Sequence, residues 1–114
     1  MAERIRAGKA GLGGILTPVG VGTALEKGKE IKEINGKKYL LELAIKADYA
    51  LIRAHKANRW DNLVYRGNSR TFNATIAGAA RITVVEVDQA VELGELKPEE
   101  IVTPGVFVNR VVVR

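Results

Sequence analysis

Residues 48–87, DYALIRAHKANRWDNLVYRGNSRTFNATIAGAARITVVEV, decide the fold. Tyr49 to His55 is a mainly apolar run of strand length, and Leu63 to Tyr65 opens a second after the polar turn Asn58 to Asn62. That pattern predicts neighbouring strands of one sheet. Ser69 stands where it would cap a helix through Phe72, Ile76 and Ala80, whose spacing of four places apolar side chains on one face. The alanine-rich TIAGAA segment suits close packing of that helix on a sheet. Ile82 to Val87 is β-branched and reads as a buried strand. Strand, helix, strand in this order implies an α/β sheet with at least one parallel connection.

Downstream, Lys97-Pro98-Glu99-Glu100 predicts a short turn or helix, Thr103-Pro104-Gly105 breaks the chain, and Val106 to Val113 predicts a closing strand. Upstream, Ile31, Ile34, Tyr39 and Leu41 flank Asn35-Gly36, the pair that most favours a two-residue type I′ turn, so a β-hairpin is expected between Glu30 and Glu42. Before it, GLGGILTPVGVGT at residues 11–23 groups glycines around Thr17-Pro18. Proline forces its predecessor out of the helical region, so this stretch predicts a shaped loop rather than a flexible linker. AERIRAG at residues 2–8 is helical in character but too short for an isolated helix.

Composition bounds the function. The chain has 114 residues, 46% hydrophobic and 27% charged, which is ordinary globular usage and fits a single domain, 1–114. A chain this short buries roughly two thirds of its unfolded surface, so partner contacts are expected to add stability. Cysteine is absent, which removes disulfides, thiolate metal sites and a cysteine nucleophile together. No apolar run reaches the roughly 20 residues of a spanning helix, and no apolar stretch follows the charges of MAERIRAGKAG, so the expected compartment is the cytoplasm, without membrane insertion. The net charge is +5, concentrated early: residues 1–46 carry nine Lys or Arg against five acids, the remainder nine against eight. Aromatics are only 5%, and without stacking platforms or a reading motif the basic excess does not point to nucleic acid. It suits coenzyme phosphates or an acidic partner equally well.

Few residues offer chemistry. His55 is the only histidine, so no His-rich metal site can be assembled, and it reads as structural at the end of an apolar strand. Gly22 to Gly28 followed by Lys29 imitates a phosphate loop, but five residues separate the glycines and Glu30 replaces the required hydroxyl. Asn73-Ala74-Thr75 matches a glycosylation sequon, without meaning in the absence of a secretory signal. Glu86, Asp88, Glu99 and Glu100 read as solvated or capping charges. Arg53, Lys56, Arg59 and Arg66 have two open readings, an anion contact or a charged sheet edge. Trp60 either meets a partner or covers the turn. For the glycine-threonine loop two readings also stand. Amides around Gly13, Gly14 and Gly20, with the Thr17 and Thr23 hydroxyls, line an acyl or coenzyme pocket that stabilises oxyanion charge, or the loop simply packs tightly on a neighbour.

Taken in order, GLGGILTPVGVGT, the strand-turn-strand of residues 48–65, the following GNSRTFN, and VVEVDQAVELGELKPEEIVTPGVFVNRVVV at residues 84–113 resemble the A (alpha) subunit of class I coenzyme A transferases, of the acetate/acetoacetate or 3-oxoacid type. Met1 falls near the middle of such a subunit, so the resemblance implies a C-terminal half and, for the fold, the C-terminal part of an open, mainly parallel α/β sheet with flanking helices and a β-hairpin. It implies an active site shared between A and B halves, in which a B-subunit glutamate forms an acyl anhydride and then a coenzyme A thioester. The B-type Ser-Glu-Asn-Gly and A-type Gly-Gly-Phe motifs are both absent here, so no catalytic residue and no metal ligand is expected in this chain. Gly13, Gly14, Thr17, Gly20 and Thr23 are the pocket candidates. Coenzyme A is expected as a substrate, with no permanently bound cofactor. The expected partners are a B subunit, an acyl-CoA and a short-chain carboxylate, in an oligomer; a non-catalytic assembly module is the alternative. Three departures from the family pattern are visible: Val19 where a threonine usually follows the proline, Asp61 where a glycine is usual, and Ser69-Arg70-Thr71-Phe72-Asn73 in place of Ala-Arg-Asn-Phe-Asn.

Overall fold

A computed structural model describes all of residues 1–114. Two sheets lie along an elongated body of 53 × 27 × 21 Å. The larger is built from β4 (Ala47–Ala57), β5 (Leu63–Val64), β6 (Ala80–Ala90) and β7 (Arg110–Val113), in the order β5-β4-β6-β7. β4 pairs with β6 and β6 with β7 in parallel, while the short β5 runs antiparallel to β4. The smaller sheet is wholly antiparallel, order β1-β3-β2, from β1 (Gly14–Thr17), β2 (Ile31–Ile34) and β3 (Lys37–Leu43). The α/β class holds, with a second, antiparallel sheet beside the mainly parallel one.

The register of the large sheet follows its alternation. Ala50, Ile52 and Ala54 of β4 sit beside Thr83, Val85 and Val87 of β6, all buried. Helix α2 (Phe72–Ile76) and the segment after β6 cover that face, bringing Ala77 and Val108 into the same core cluster. Two buried polar groups are satisfied: Thr83 Oγ1 donates to the Ala77 carbonyl at 2.6 Å, and the Tyr65 and Thr103 hydroxyls share a hydrogen bond of 2.7 Å. Burial of the Tyr65 phenol pushes its pKa up, with the Thr103 bond opposing. Helix α1 (Ala2–Lys9) packs Ile5 and Ala7 inward and contacts both α2 and β1, which ties the two sheets together.

Most predicted elements are found. The hairpin closes through Asn35 and Gly36 with φ of 50° and 78°, the left-handed pair a type I′ turn requires and the reason for this dipeptide. Residues 98–100 form the expected short helical turn. Three expectations need correction. Ser69 does not cap α2: its hydroxyl donates to the Arg66 carbonyl at 2.7 Å and accepts from the Arg66 amide, closing a 3₁₀ turn at Gly67–Arg70, and the α-helix starts only at Phe72. Ala80 is not on that helix but opens β6, because pairing with Ala47 draws it into the sheet. The last strand begins at Arg110 rather than Val106. Gly105–Phe107 is a 3₁₀ turn after Pro104, and Asn109 enters the sheet by accepting from the Thr83 amide through Oδ1 and donating its own amide to the Thr83 carbonyl.

Leu63 is fully buried in the core cluster, whereas Leu51 is 80% exposed on the opposite face of the sheet. Leu63→Ala is therefore expected to lower unfolding free energy by about 2–5 kcal/mol. Leu51→Ala should change it by less than about 0.5 kcal/mol. Urea titration of both variants checks the contrast, and equal losses would contradict the assignment of the core face.

Candidate functional site

Gly14–Thr17, expected as loop, forms strand β1 instead, because its groups pair with β3 from Leu40 to Leu43. Gly14 is needed there: a Cβ would lie 2.6 Å from the Glu42 carbonyl oxygen, nearer than any side chain tolerates. Beyond Thr17 the chain turns through Pro18 to Thr23 into a short 3₁₀ helix, Ala24–Glu26. The Thr23 hydroxyl donates to the Gly20 carbonyl at 2.6 Å and accepts from the Leu25 amide at 3.3 Å, so it caps the turn. The Gly22 amide is held by the Glu26 carboxylate. The loop is thus a braced structure, as expected, although part of it is strand.

Between this loop, α1 and β3 lies a cavity of about 360 Å³ with Ile15, Val19 and Leu25 on its wall and Glu3, Arg4, Lys29 and Glu42 beside them. Of the five pocket candidates, Thr17 lines this cavity. Its Oγ1 accepts from the Val19 amide at 3.2 Å, leaving its hydroxyl proton free to donate. Gly13, Gly14, Gly20 and Thr23 belong to the same stretch but shape it from behind: the Gly13 carbonyl accepts from the Ala44 amide, and Gly20 packs near Leu40 and Leu25.

The charges at this cavity were not singled out in the sequence. Glu42 lies in β3 on the same side as fully buried Leu40, across from Ile15. Its carboxylate is ion-paired with the Lys29 ammonium and lies 3.6 Å from Arg4 Nε, which also donates to the Leu43 carbonyl at 2.7 Å. The Lys29 hydrogen bond, foremost, holds the Glu42 pKa below the ordinary carboxylate value against an opposing desolvation, and the Lys29 and Arg4 charges add to it. A carboxylate so held is an ionised acceptor, not a proton donor. Arg4 and Lys29 face Glu3 and Glu42 over an apolar wall, so the side-chain charges at the rim balance, and the wall itself suits a small apolar group. The signal was present in LLEL: an acid at the inward phase of a period-two run.

A second charged cluster lies on the large sheet. Arg53 Nη2 bonds Asp88 Oδ1 at 2.8 Å, Arg53 Nη1 lies 3.7 Å from Glu86, and His55 Nδ1 lies 3.3 Å from Asp88 Oδ2. The His55 hydrogen bond, followed by Arg53 against some desolvation, lowers the Asp88 pKa. Arg53 is therefore neutralised within the sheet, and His55 serves as a cross-strand partner, consistent with its structural reading. Trp60 is exposed at its turn. No three His, Asp or Glu side chains are grouped as metal ligands, and no helix is long and apolar enough to cross a membrane.

A part-apolar cavity with a charged rim, walled by a glycine-threonine strand-loop and set next to a mainly parallel sheet, is the frame in which the chain's relatives take their place. The sequence matches the family described as Coenzyme A transferase over residues 1–114, and the chain belongs to that family. It is 54% identical to the A subunit of 3-oxoadipate CoA-transferase from Pseudomonas putida, over 98% of this chain and 48% of that protein. It is 52% identical to the alpha subunit of acetate CoA-transferase from Escherichia coli (strain K12), over 99% of this chain and 51% of that one. The chain thus spans about half the length of these curated relatives. A solved acyl-CoA transferase from E. coli O157:H7, in a thioester complex with CoA, superposes with a TM-score of 0.85 at 25% identity, over 99% of this chain and 26% of the other.

Glu42 and Asp88 both have depressed pKa values, so the stability they contribute is present above the ordinary carboxylate range and is lost as pH falls through their folded values. Melting temperature should be flat near neutrality and fall below about pH 4. The double variant E42Q/D88N should melt lower at neutral pH and show a shallower acid limb. An acid limb unchanged in the double variant would remove these pairs from the account.

Proposed function

We propose that this chain is the C-terminal half, 1–114, of the A subunit of a short-chain acyl-CoA:carboxylate CoA-transferase, active together with an N-terminal half and with a B subunit carrying a glutamate nucleophile. The observation that carries the reading is identity above half, over nearly the whole chain, to two A-type subunits of CoA-transferases. In this reading the B-subunit glutamate attacks the acyl-CoA carbonyl, breaking the thioester and releasing coenzyme A as thiolate with formation of an acyl-glutamate anhydride. The thiolate then attacks the glutamyl carbonyl, releasing the donor carboxylate and leaving a glutamyl-CoA thioester. The acceptor carboxylate repeats the two steps in reverse order and departs as the new acyl-CoA. Coenzyme A is a substrate throughout, and no cofactor stays bound.

This chain's residues fit a supporting role in that sequence. Glu42 is committed to Lys29 and Asp88 to Arg53 and His55, so neither is free to act as the nucleophile. Arg4 and Lys29 supply positive charge at the cavity rim, Thr17 supplies a hydroxyl donor, and Ile15, Val19 and Leu25 receive a short acyl chain. Gly13, Gly14, Gly20 and Thr23 hold the strand and turn that present them. Val19, without the hydroxyl of the usual threonine, makes the wall more apolar. The reaction belongs in the cytoplasm, in an oligomer built with the B subunit. A second reading, a non-catalytic assembly module, is compatible with the same ion pairs, which tie up the paired carboxylates.

The test is transfer of coenzyme A between acetyl-CoA and acetoacetate, and between succinyl-CoA and acetoacetate or 3-oxoadipate. This chain is mixed with a B subunit, with and without the N-terminal half. Activity is expected only in the three-part mixture, and Thr17→Val should lower kcat/KM there by roughly tenfold, the contribution of one donor. Association without turnover for any donor-acceptor pair would favour the assembly module.

A further inference from the structure

We propose that β2, the free edge of the small sheet, pairs antiparallel with β2 of a second copy of this chain, in the register that sets Ile31 opposite the copy's Ile31. The pairing is carried by this strand alone and does not depend on the function given above. In the order β1-β3-β2, only one side of β2 meets a neighbour. All of its residues, Ile31–Ile34, are exposed, and an unpaired edge of this kind is a template for another strand. Edges that stay single are commonly blunted by a proline or a bulge. β2 has neither, and its ladder with β3 runs unbroken from Ile31–Leu40 to Ile34–Lys37.

The outward groups follow from that ladder. The Leu41 amide donates to the Glu30 carbonyl at 2.9 Å, so Glu30 turns toward β3, and strand alternation gives Lys32 and Ile34 the same orientation. Ile31 and Glu33 therefore direct their amides and carbonyls to the open side. A two-fold pair must set outward residues opposite outward residues, so each symmetric register is centred on one residue. Centring on Glu30, Lys32 or Glu33 lays that charge against its own copy, which is destabilising. Centring on Ile34 runs each strand into the other's Asn35-Gly36 turn and pairs no charges. Centring on Ile31 joins the two isoleucines by reciprocal main-chain hydrogen bonds. It also sets Glu30 opposite the copy's Lys32, and Lys32 opposite the copy's Glu30. Within one chain Lys32 Nζ lies 3.4 Å from Glu30 Oε1, so the four side chains alternate in sign around the two-fold axis. Charges that would repel an unrelated strand are here self-complementary. The ladder stops at Lys29, whose amide donates to the Glu26 carbonyl and whose ammonium is held by Glu42. So short an interface implies a modest dissociation constant, on the order of 10–100 μM.

The experiment is sedimentation velocity of this chain over a concentration series up to about 1 mM, with thermal melts establishing that each variant folds. A monomer–dimer equilibrium is expected. Lys32→Glu should weaken it by roughly tenfold, because Glu30 then meets a carboxylate in both symmetry-related pairs. The double variant E30K/K32E should restore it to within about threefold, since the cross-strand pairs return with their signs exchanged. A second measurement reads the register. The chain has no cysteine, so Ile31→Cys and Ile34→Cys each carry a single thiol at comparably exposed positions, 42% and 45%. A short bis-maleimide should couple Ile31→Cys about tenfold faster, because this register holds the two copies of residue 34 roughly 20 Å apart. No dimer across the series, or a dimer that Lys32→Glu leaves unchanged, overturns the proposal. So does a double variant no better than Lys32→Glu, or equal coupling at the two thiols.

Discussion

The parallel pairing of β4 with β6 is the constraint on which the rest of the molecule depends. Two eleven-residue strands are joined in register from Ala47–Ala80 to Ala57–Ala90, and every other feature hangs from that ladder. The crossover between them, residues 58–79, carries the chain back to the start of the sheet through β5, a 3₁₀ turn and α2. Ala74 and Ala77 pack against Ala50, Ile52 and Ala54, so backbone approaches backbone without large side chains between them. β7 then extends the ladder, and Thr83 acts as its hinge point, bonded through its hydroxyl to Ala77 and through its main chain to Asn109.

The small sheet is a different physical object. It has no core of comparable size: Leu40 is its one fully buried large side chain, and Ile31, Ile34, Leu16 and Leu43 are exposed. Its cohesion comes from the type I′ turn, the β1–β3 and β2–β3 ladders, and the Glu42 carboxylate that gathers Lys29 from the loop and Arg4 from α1. The partly buried pair is costly to desolvate and is retained where it orders three segments around a cavity. The same carboxylate that fixes the loop also places Lys29 and Arg4 at the cavity rim.

Sequence patterning revealed those parts of the fold whose cause is local. Asn35-Gly36 fixes its own φ values, the ITVV and YALI runs announce strands, and Pro98 opens its turn. It misplaced boundaries where a tertiary partner decides: Ala80 is helical by spacing but becomes strand because Ala47 lies opposite, and Ser69 is a good cap whose hydroxyl the Arg66 turn uses first. The candidate site was legible as a stretch, through the glycines and Thr17-Pro18, but not as a cavity. Arg4, Lys29 and Glu42 are separated by up to 38 positions (42 − 4), and no local rule joins them. Only Glu42 betrayed itself, as an acid on the inward phase of β3.

Only 17 of the 114 residues are buried, and the reason is visible in which surfaces stay open. The large sheet has one face packed and the other uncovered, with Leu51, Val84 and Val112 on it. The charges support the same conclusion, since every strongly paired carboxylate is committed to internal structure and none of these is left for attack on an acyl group. The chain frames a small cavity with Thr17 on its wall, ties up its paired carboxylates in ion pairs and leaves one face of its large sheet uncovered.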